Sequence, residues 1–402
     1  MHKQIGAVLL VAGTCIGSGM IALPMVLAKL GIIPSALLMI FIWYIMYYTS
    51  LINLELNLQA GHGISLGSLG RLFSGRGAET IGIISLKLLS YSLLAVFIYG
   101  GSSVLQELFE SKMAVTYSFG TIATYYSLIA TTLLLLPIKM IDYFNRILFI
   151  SLLGVVAILL TALAVTISWT DLPLFSEQYN DPLAWASLLP VVFTSFGFQV
   201  IFHTVANYCK MNVKMLKKAF MWGSLIPAIV YIFWTCSILI VVYHDDPIFY
   251  SQMASGKVEI GELIQVLSGI AKWQAIQLLI WWISLLAIAT SVLGVGVGLC
   301  DSIKAMLAKS VSNKAARSLI AAITTILPAF LVVMFVPNAF IAVLGFAGMI
   351  LAVIAILMPV YLLMQTKKDN YHYPELKKTW LITVSTLVGA AIIASEVFNF
   401  FH

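Results

Sequence analysis

The sequence predicts an all-α integral membrane protein with eleven transmembrane helices. Hydrophobic residues make up 61% of the 402 residues and charged residues only 9%, and the mean hydropathy is +1.03. This composition excludes a soluble globular protein. The apolar residues are grouped in stretches long enough to cross a bilayer. Two of these stretches carry glycine and hydroxyl residues halfway along, which predicts that helices 1 and 6 are broken.

Charged or turn-forming segments separate the apolar stretches, and we expect one helix from each stretch. The predicted helices cover about residues 5–30, 34–58, 80–107, 118–138, 145–169, 184–208, 219–243, 273–302, 317–336, 338–364 and 379–401. No connecting segment is long enough to separate two domains. The whole chain, 1–402, is therefore predicted to form one transmembrane domain.

The lysines and arginines predict the orientation of the helices. Most of the 22 basic residues fall in the segments that share one side of the membrane with the N-terminus. Basic loops stay in the cytoplasm, so we expect a cytoplasmic N-terminus and, after an odd number of spans, a C-terminus on the outside. The net charge of +6 follows from this topology and does not indicate a nucleic-acid partner.

The first predicted break lies in helix 1, where Gly13, Gly17 and Gly19 surround Thr14 and Ser18. Glycine weakens a helix, and backbone that leaves helical bonding inside a membrane must be buried in protein or line a cavity. The helix that restarts after Gly17 points free N–H groups at the break, which suits a carboxylate. The alternative interpretation is a glycine-rich face for close helix packing.

The second predicted break lies in helix 6, where Thr194, Ser195 and Gly197 interrupt the apolar run. Unwound carbonyl groups at this point are acceptors for an ammonium group. Breaks in the first and sixth helices are what two inverted five-helix repeats produce, here 1–169 and 184–364, with helix 11 (379–401) added. The two halves share no visible sequence identity, so this repeat is inferred from hydropathy and from the breaks.

Motifs along nearly the whole chain carry a resemblance to a known family. They are the stretches 13–24, 193–198, 231–234, 289–291 and 344–348, together with Leu54, Glu55, Asp142, Asn145, Arg146, Pro227, Gly298, Leu299 and Asp301. The chain resembles the bacterial hydroxy and aromatic amino acid permease family, most of all its tyrosine-specific branch. The resemblance implies a fold of five plus five inverted helices followed by an eleventh.

The resemblance also implies a function. We expect a secondary active transporter that imports an aromatic amino acid, tyrosine first, across the bacterial inner membrane by cation symport, usually of a proton, with alternating access. The C-terminus is then periplasmic. A sodium- or proton-coupled permease for another neutral amino acid, such as tryptophan, serine or threonine, is an alternative. A channel fits two breaks at one depth less well than an occluded site does.

An integral-membrane enzyme is the alternative from a different class. The six histidines are scattered, and no nucleophile or metal motif emerges, so we expect neither enzymatic activity nor a cofactor. The four cysteines, Cys15, Cys209, Cys236 and Cys300, have no metal-ligand spacing. The expected partners are an amino acid, a coupling cation and the lipid bilayer.

A zwitterionic substrate needs donors for its carboxylate and acceptors for its ammonium group. The predicted substrate-binding residues are Ile16, Gly17, Ser18, Gly19, Tyr91, Thr194, Ser195, Phe196 and Phe198. The backbone from Gly17 to Gly19 offers N–H groups, and Ile16, Thr194 and Phe196 offer carbonyl groups. Phe196 and Phe198 are candidates for stacking on the substrate ring, and Tyr91 for a second carboxylate contact. Core packing of the phenylalanines and a bond from Tyr91 to another helix are the alternatives.

Coupling has two candidate sites. Ala287, Thr290 and Ser291 share one face of helix 8, and resemble the sodium-binding face of sodium-coupled transporters with this fold, with the carbonyl groups of Gly13 and Ile16 opposite. Oxygen ligands without a carboxylate suit a monovalent cation, whereas packing by small residues is the alternative explanation.

The second candidate for coupling is His203, which titrates in the required pH range. Relatives in this family usually have histidine, and four residues later proline, where this chain has Gln199 and His203. The proton-coupling role of that histidine is therefore in doubt here, or has moved by one turn to His203.

Gating residues are expected at the cytoplasmic ends of the helices. Glu55 near the end of helix 2, Asp142 and Arg146 at positions i and i+4, and Asp301 at the end of helix 8 are the candidates. Charges at this surface usually only interact with water, but an inner gate needs contacts that can be remade.

Overall fold

The computed structural model describes residues 2–17, 19–166, 170–270, 274–308, 310–336, 339–366 and 373–401. Within these ranges the protein is helical and contains no strand. The α-helices are α1 (His2–Cys15), α2 (Gly19–Leu27), α3 (Ile32–Ala60), α4 (Leu66–Phe73), α5 (Arg76–Met113), α6 (Phe119–Leu134), α7 (Ile138–Thr166), α8 (Pro182–Ser195), α9 (Phe202–Tyr208), α10 (Val213–Asp245), α11 (Pro247–Ala254), α12 (Ile260–Ile270), α13 (Gln274–Leu307), α14 (Lys314–Phe335), α15 (Ala339–Ala352), α16 (Met358–Gln365) and α17 (Thr379–Phe401). Short 3₁₀ turns lie at Phe198–Ile201 and Pro374–Lys377, and one π turn lies at Val353–Leu357.

The described part of the chain contains eight helices that are long and apolar enough to cross a membrane, or nine if the bent pair α1 and α2 is one span. The protein is therefore a multi-pass membrane protein. Helices occupy the positions of all eleven predicted spans. However, α6 and the apolar part of α7 (Arg146–Ala162) are shorter than a full span by the same criterion. The count of eleven and the inverted repeat thus stay predictions.

The connecting segments contain three short helices that the hydropathy pattern did not predict, namely α4, α11 and α12. The side chain of Ser65 accepts a hydrogen bond from the backbone N–H of Ser68 at the start of α4. Asp246 caps α11 in the same way, and Pro247 occupies its first turn. These are ordinary helix-start signals. Hydropathy analysis misses them because these helices are too short to be spans.

The interior of the protein is formed where α1, α2 and α8 pack among α5, α10, α13 and α15. The contact between α1 and α10 is close because Gly223 has no side chain, since a Cβ atom there would lie 2.5 Å from Cβ of Val11. In contrast, α14 and α17 expose large apolar side chains such as Phe335 and Phe400. These faces suit contact with lipid. The two helices predicted to be broken therefore lie inside the bundle: helix 1, which corresponds to α1 and α2, and helix 6, whose first half is α8.

A proline inside α2 is compensated by a neighbouring helix. Pro24 has no N–H group, so the carbonyl group of Met20, four residues earlier, has no donor within the helix. The indole N–H of Trp234 on α10 donates to this oxygen at 2.5 Å, and both groups are buried. A side chain of another helix thus replaces the missing backbone bond.

The same arrangement recurs in α8. Pro190 leaves the carbonyl group of Ala186 without a helical donor, and the side-chain amide of Asn399 on α17 donates to it at 3.1 Å. This bond ties the last helix of the chain to the first half of the broken helix 6.

Candidate functional site

Helix 1 is broken between Cys15 and Gly19, and α1 and α2 meet there at an angle of 48°. The last bonds of α1 include that from the N–H of Ile16 to the carbonyl of Ala12 at 3.0 Å. Ile16 and Gly17 are buried although they belong to neither helix. Ser18, which we predicted as a substrate contact, lies outside the described residues. The buried break needs partners for its freed backbone groups.

Helix 6 is interrupted after Ser195. Phe196 and Gly197 form a turn, a 3₁₀ turn follows, and the helix resumes as α9. The hydroxyl of Thr194 donates to the carbonyl of Pro190 at 2.7 Å and also lies 3.0 Å from that of Leu344 on α15. The hydroxyl of Ser195 donates to the carbonyl of Val191. Both hydroxyls therefore bond backbone carbonyls, as Ser and Thr in membrane helices often do.

Tyr231 on α10 joins the two breaks. Its hydroxyl donates to the carbonyl of Cys15, the last residue of α1, and lies 3.3 Å from the carbonyl of Ser195, the last residue of α8. Gly19 permits this approach, because a Cβ atom there would lie 2.6 Å from the Tyr231 oxygen and 2.8 Å from Cβ of Ser195. The ends of two half-helices and the start of a third thus meet at one phenol, which is fully buried.

Two predicted aromatic residues occupy different positions around this point. The ring of Phe196 meets the ring of Tyr231 edge-on, with centroids 5.6 Å apart. Phe198 instead stacks against Phe220 of α10 at 6.1 Å. Both side chains are fully buried. Phe196 is therefore adjacent to the meeting point of the breaks, and the described ring contact of Phe198 is with the core.

The structure brings part of the predicted cation site to the first break. Ser291 on α13 lies against Gly17, because a Cβ atom on Gly17 would be 2.5 Å from the Ser291 hydroxyl oxygen. The hydroxyls of Thr290 and Ser291 both bond the carbonyl of Ala287 on their own helix, at 3.0 and 2.7 Å. Gly13 faces the ring of Phe149 on α7. Helix α13, which corresponds to the predicted helix 8, therefore approaches the first break at Gly17. This contact lies four residues after Gly13, the residue we predicted.

The part of the chain that the structure describes contains no group of three or more His, Cys, Asp or Glu side chains that could hold a metal ion. This observation applies to clusters rich in charged ligands.

Gln199 forms a buried polar cluster with α3 that the sequence did not reveal. Its side-chain amide donates to the hydroxyl of Thr49 at 2.6 Å and to the carbonyl of Met46 at 3.1 Å. Its oxygen accepts from the side chain of Asn53 at 2.7 Å. Buried amides need such partners, so this cluster fixes the second break against α3.

His203, the predicted proton-coupling residue, lies in α9 beyond the 3₁₀ turn and is partly exposed. Its Nε2 atom lies 3.5 Å from the hydroxyl of the adjacent Thr204. No described contact links it to the break at Ser195, and its coupling role stays a prediction.

Tyr91 lies on α5, and its hydroxyl donates to the carbonyl of Thr324 on α14 at 3.1 Å. Thr324 is the residue four positions before Pro328, which lies inside α14 and has no N–H group. Tyr91 thus compensates a proline as Trp234 and Asn399 do. The described hydrogen bond of Tyr91 links α5 to α14 and does not bring it to the breaks.

The predicted gating residues do not form one cluster in the described contacts. Glu55 is fully buried on α3 and accepts a bond from Gln59 at 2.9 Å. Asp301 lies 3.5 Å from Lys304 on the same helix, and Arg146 is exposed on α7. The side chain of Asp142 lies outside the described residues. The position of Glu55 near the helix end suggested a solvated or gate-pairing carboxylate; the structure shows a buried one, and its gating role stays a prediction.

Tyr231 and Trp234 are the site residues that sequence reasoning missed. Both belong to the motif 231–234, which contributed to the family resemblance but received no role. The signal was a pair of polar aromatic residues in an apolar helix, where a phenol and an indole need hydrogen-bond partners.

Comparison with known proteins identifies the family. The model of the tryptophan/tyrosine permease family matches residues 1–397. The chain is 29% identical over 398 residues to tyrosine-specific transport system 1 of Haemophilus influenzae, covering 98% of this chain and 96% of the relative. It is 27% identical over 369 residues to glutamine transporter 2 of Aliivibrio fischeri, covering 92% and 90%.

A third relative is the tryptophan-specific transport protein of Pseudomonas aeruginosa, 24% identical over 405 residues, covering 99% of this chain and 95% of the relative. The relatives are transport proteins, in agreement with the absence of an enzymatic motif from the sequence. From the family match over nearly the whole length, we conclude that this chain belongs to the tryptophan/tyrosine permease family of amino acid transporters and is not an enzyme.

Proposed function

We propose that this permease imports an aromatic amino acid, tyrosine foremost, across the bacterial inner membrane. The observation that carries the proposal is the meeting of the two helix breaks at Tyr231 in the interior of the bundle. Interrupted helices inside a membrane protein expose backbone donors and acceptors where a zwitterion can use them. Family relatives that are named for tyrosine and tryptophan support the substrate class.

The two ends of the substrate would use opposite helix ends. The carboxylate would bond the backbone N–H groups at Gly17, Ser18 and Gly19, because the start of α2 carries partial positive charge. The ammonium group bonds carbonyl groups at the ends of the other half-helices, among them those of Ile16, Thr194 and Phe196.

The substrate ring needs an apolar space beside these groups. We assign Phe196 to contact the substrate ring, and its contact with the ring of Tyr231 supports this assignment. The hydroxyl of Ser195, the ring of Phe198 and the hydroxyl of Tyr91 complete the proposed contacts, and each has another partner in the present structure.

We infer that eleven helices alternate access as two inverted repeats, 1–169 and 184–364, with 379–401 as an added helix. The N-terminus is cytoplasmic and the C-terminus periplasmic, in keeping with the distribution of basic residues. Glu55, Asp142, Arg146 and Asp301 would provide the contacts that close and reopen the inner side. The burial of Glu55 on α3 favours it among these four, because an ionisable side chain buried in a membrane-spanning helix is a functional candidate by default.

Coupling to a cation provides the driving force in this proposal. A proton is the first choice, with His203 as the candidate carrier. Sodium is the second, held by oxygens of Ala287, Thr290, Ser291, Gly13 and Ile16. The proximity of Ser291 to Gly17 supports a link between α13 and the first break for either cation.

Uptake by the purified protein in liposomes tests substrate and coupling together. Labelled L-tyrosine is supplied with a gradient that drives protons into the liposomes, a gradient that drives sodium ions into them, or neither. Unlabelled tryptophan, glutamine, serine and threonine are added as competitors. We expect accumulation driven by the pH gradient and inhibition by tryptophan. Glutamine is included because one relative is a glutamine transporter. Labelled L-tryptophan and L-glutamine are then supplied in the same way, and uptake of glutamine without uptake of tyrosine or tryptophan would contradict the proposed substrate class.

A further inference from the structure

Tyr231 lies where an acceptor site for a cation is already assembled. The carbonyl groups of Cys15 and Ser195 are each the last of a half-helix, and both lie within reach of its hydroxyl. The C-terminal end of a helix carries partial negative charge. Two such ends converge here in a buried place, and the group between them is a neutral phenol.

We propose that the Tyr231 hydroxyl competes with the substrate for the carbonyl groups of Cys15 and Ser195, which the ammonium group takes in the loaded state. This inference rests on the proposed function. It adds that Tyr231, a residue of α10, influences the affinity for the substrate. The hydroxyl acts as a built-in competitor of the substrate. Binding then consists of an exchange of one donor for another.

The exchange is favourable for a cation. A phenol has one proton and can donate it fully to only one of two carbonyl groups. An ammonium group has three protons and a positive charge, and its hydrogen bonds are charge-assisted and stronger. The carbonyls of Cys15 and Ser195 therefore discriminate in favour of an amino acid over the phenol, at the cost of breaking the existing bonds.

Helix α10, which carries Tyr231, also forms a hydrogen bond with α2, the half-helix that follows the first break. Trp234, three residues after Tyr231, donates to the carbonyl of Met20 in α2. Tyr231 thus donates a hydrogen bond to the end of α1, and Trp234 donates one to the start of α2. Release of the Tyr231 hydroxyl by an ammonium group would break its bond to the end of α1, while the bond from Trp234 to α2 stays in place.

Binding of L-tyrosine to purified Tyr231→Phe tests the proposal. Without the hydroxyl, the buried carbonyl of Cys15 loses its donor, and a buried unsatisfied acceptor is costly. The substrate restores a donor, so we expect the dissociation constant to fall about tenfold, equivalent to about 1.4 kcal/mol. Tyr48→Phe is the matched control, because the Tyr48 hydroxyl is also buried and donates to a carbonyl, that of Leu376, at 2.7 Å.

The outcomes separate this proposal from the proposed function. Wild-type affinity in Tyr231→Phe, or weaker binding, overturns the competitor role while the wild type still binds tyrosine. If the wild type and Tyr48→Phe bind no aromatic amino acid, both proposals fail. If Tyr231→Phe does not survive purification alone, we expect saturating L-tyrosine to preserve it, since the ammonium group supplies the missing donor. Failure to recover it with substrate also overturns the role.

Discussion

Trp234 on α10 donates its indole N–H to the carbonyl oxygen of Met20 on α2, the group that Pro24 leaves without a helical donor. The bond crosses from an unbroken helix to the half-helix that follows the first break. It allows a proline close to the break without an unsatisfied carbonyl in the interior.

Trp234→Phe removes the donor and keeps most of the ring. A buried carbonyl without a partner costs about 1 to 3 kcal/mol, so the free energy of unfolding should fall by that amount. Thermal unfolding of the detergent-solubilised protein measures it. Trp282→Phe is the control, because Trp282 is 56% exposed on α13. Equal melting temperatures for the two variants would refute the role of the bond.

Asn399 and Pro190 form a pair that can be tested together. Asn399→Leu should destabilise the protein by about 1 kcal/mol because the carbonyl of Ala186 loses its donor. Pro190→Ala restores a backbone N–H that can bond the same carbonyl. In the double variant the loss of Asn399 should therefore cost less than it does in the wild type. Strictly additive changes in melting temperature would show that the two positions do not act on one carbonyl.

Tyr91→Phe separates two roles for Tyr91. The bond to the carbonyl of Thr324 predicts a lower melting temperature and an unchanged KM for L-tyrosine uptake. A hydroxyl that contacts the substrate carboxylate instead predicts a KM raised about tenfold, as for loss of one charge-assisted bond. Kinetic uptake in liposomes, normalised to the amount of inserted protein, distinguishes the two.

Glu259, in the segment between α11 and α12, predicts a pH-dependent stability. Burial raises its pKa most, and the nearby Glu262 adds to the rise, while the hydrogen bond from Tyr99 at 3.2 Å partly offsets it. Because its pKa is higher in the folded protein than in the unfolded chain, its charge destabilises the fold. This penalty is absent at a pH below the unfolded value and grows to its full size as the pH rises through the folded value.

Glu259→Gln should therefore raise the melting temperature at neutral pH, and the gain should shrink as the pH falls toward the unfolded value of about 4.5 and be absent below it. Glu177→Gln, at an exposed position, controls for the loss of one negative charge. A gain that is constant from acid to neutral pH would contradict the role of burial.

The sequence predicts the helical class and the two breaks, because glycine and hydroxyl residues inside an apolar run have a direct local effect on the backbone. Helices α4 and α11 carry capping residues that a closer search for helix starts would detect. In contrast, the partners of Met20, Ala186 and Thr324 come from helices more than a hundred residues away. A proline in the sequence indicates that a carbonyl needs a donor, but only the packing shows which side chain supplies it.

In the candidate site, too, the sequence predicts local features of the backbone but not most of the contacts between helices. The closeness of Gly17 to Ser291 agrees with the expectation that helix 8 faces the first break, whereas Gly13 faces Phe149. Hydrogen bonds within the helix occupy the hydroxyls of Thr290 and Ser291, a feature that sequence spacing cannot distinguish from a ligand position. The meeting of the breaks at Tyr231 depends on how α10 crosses them, which hydropathy does not encode.

Gly17→Leu tests the central claim, that the broken helix 1 forms the transport site. A side chain at this position collides with Ser291, whereas Gly294 on the same helix as Ser291 has open space around it, so Gly294→Leu is the matched control. The measurement is uptake of labelled L-tyrosine by liposomes that contain equal amounts of each folded variant. We predict that Gly17→Leu abolishes uptake and Gly294→Leu retains it. Wild-type uptake by Gly17→Leu would contradict the account.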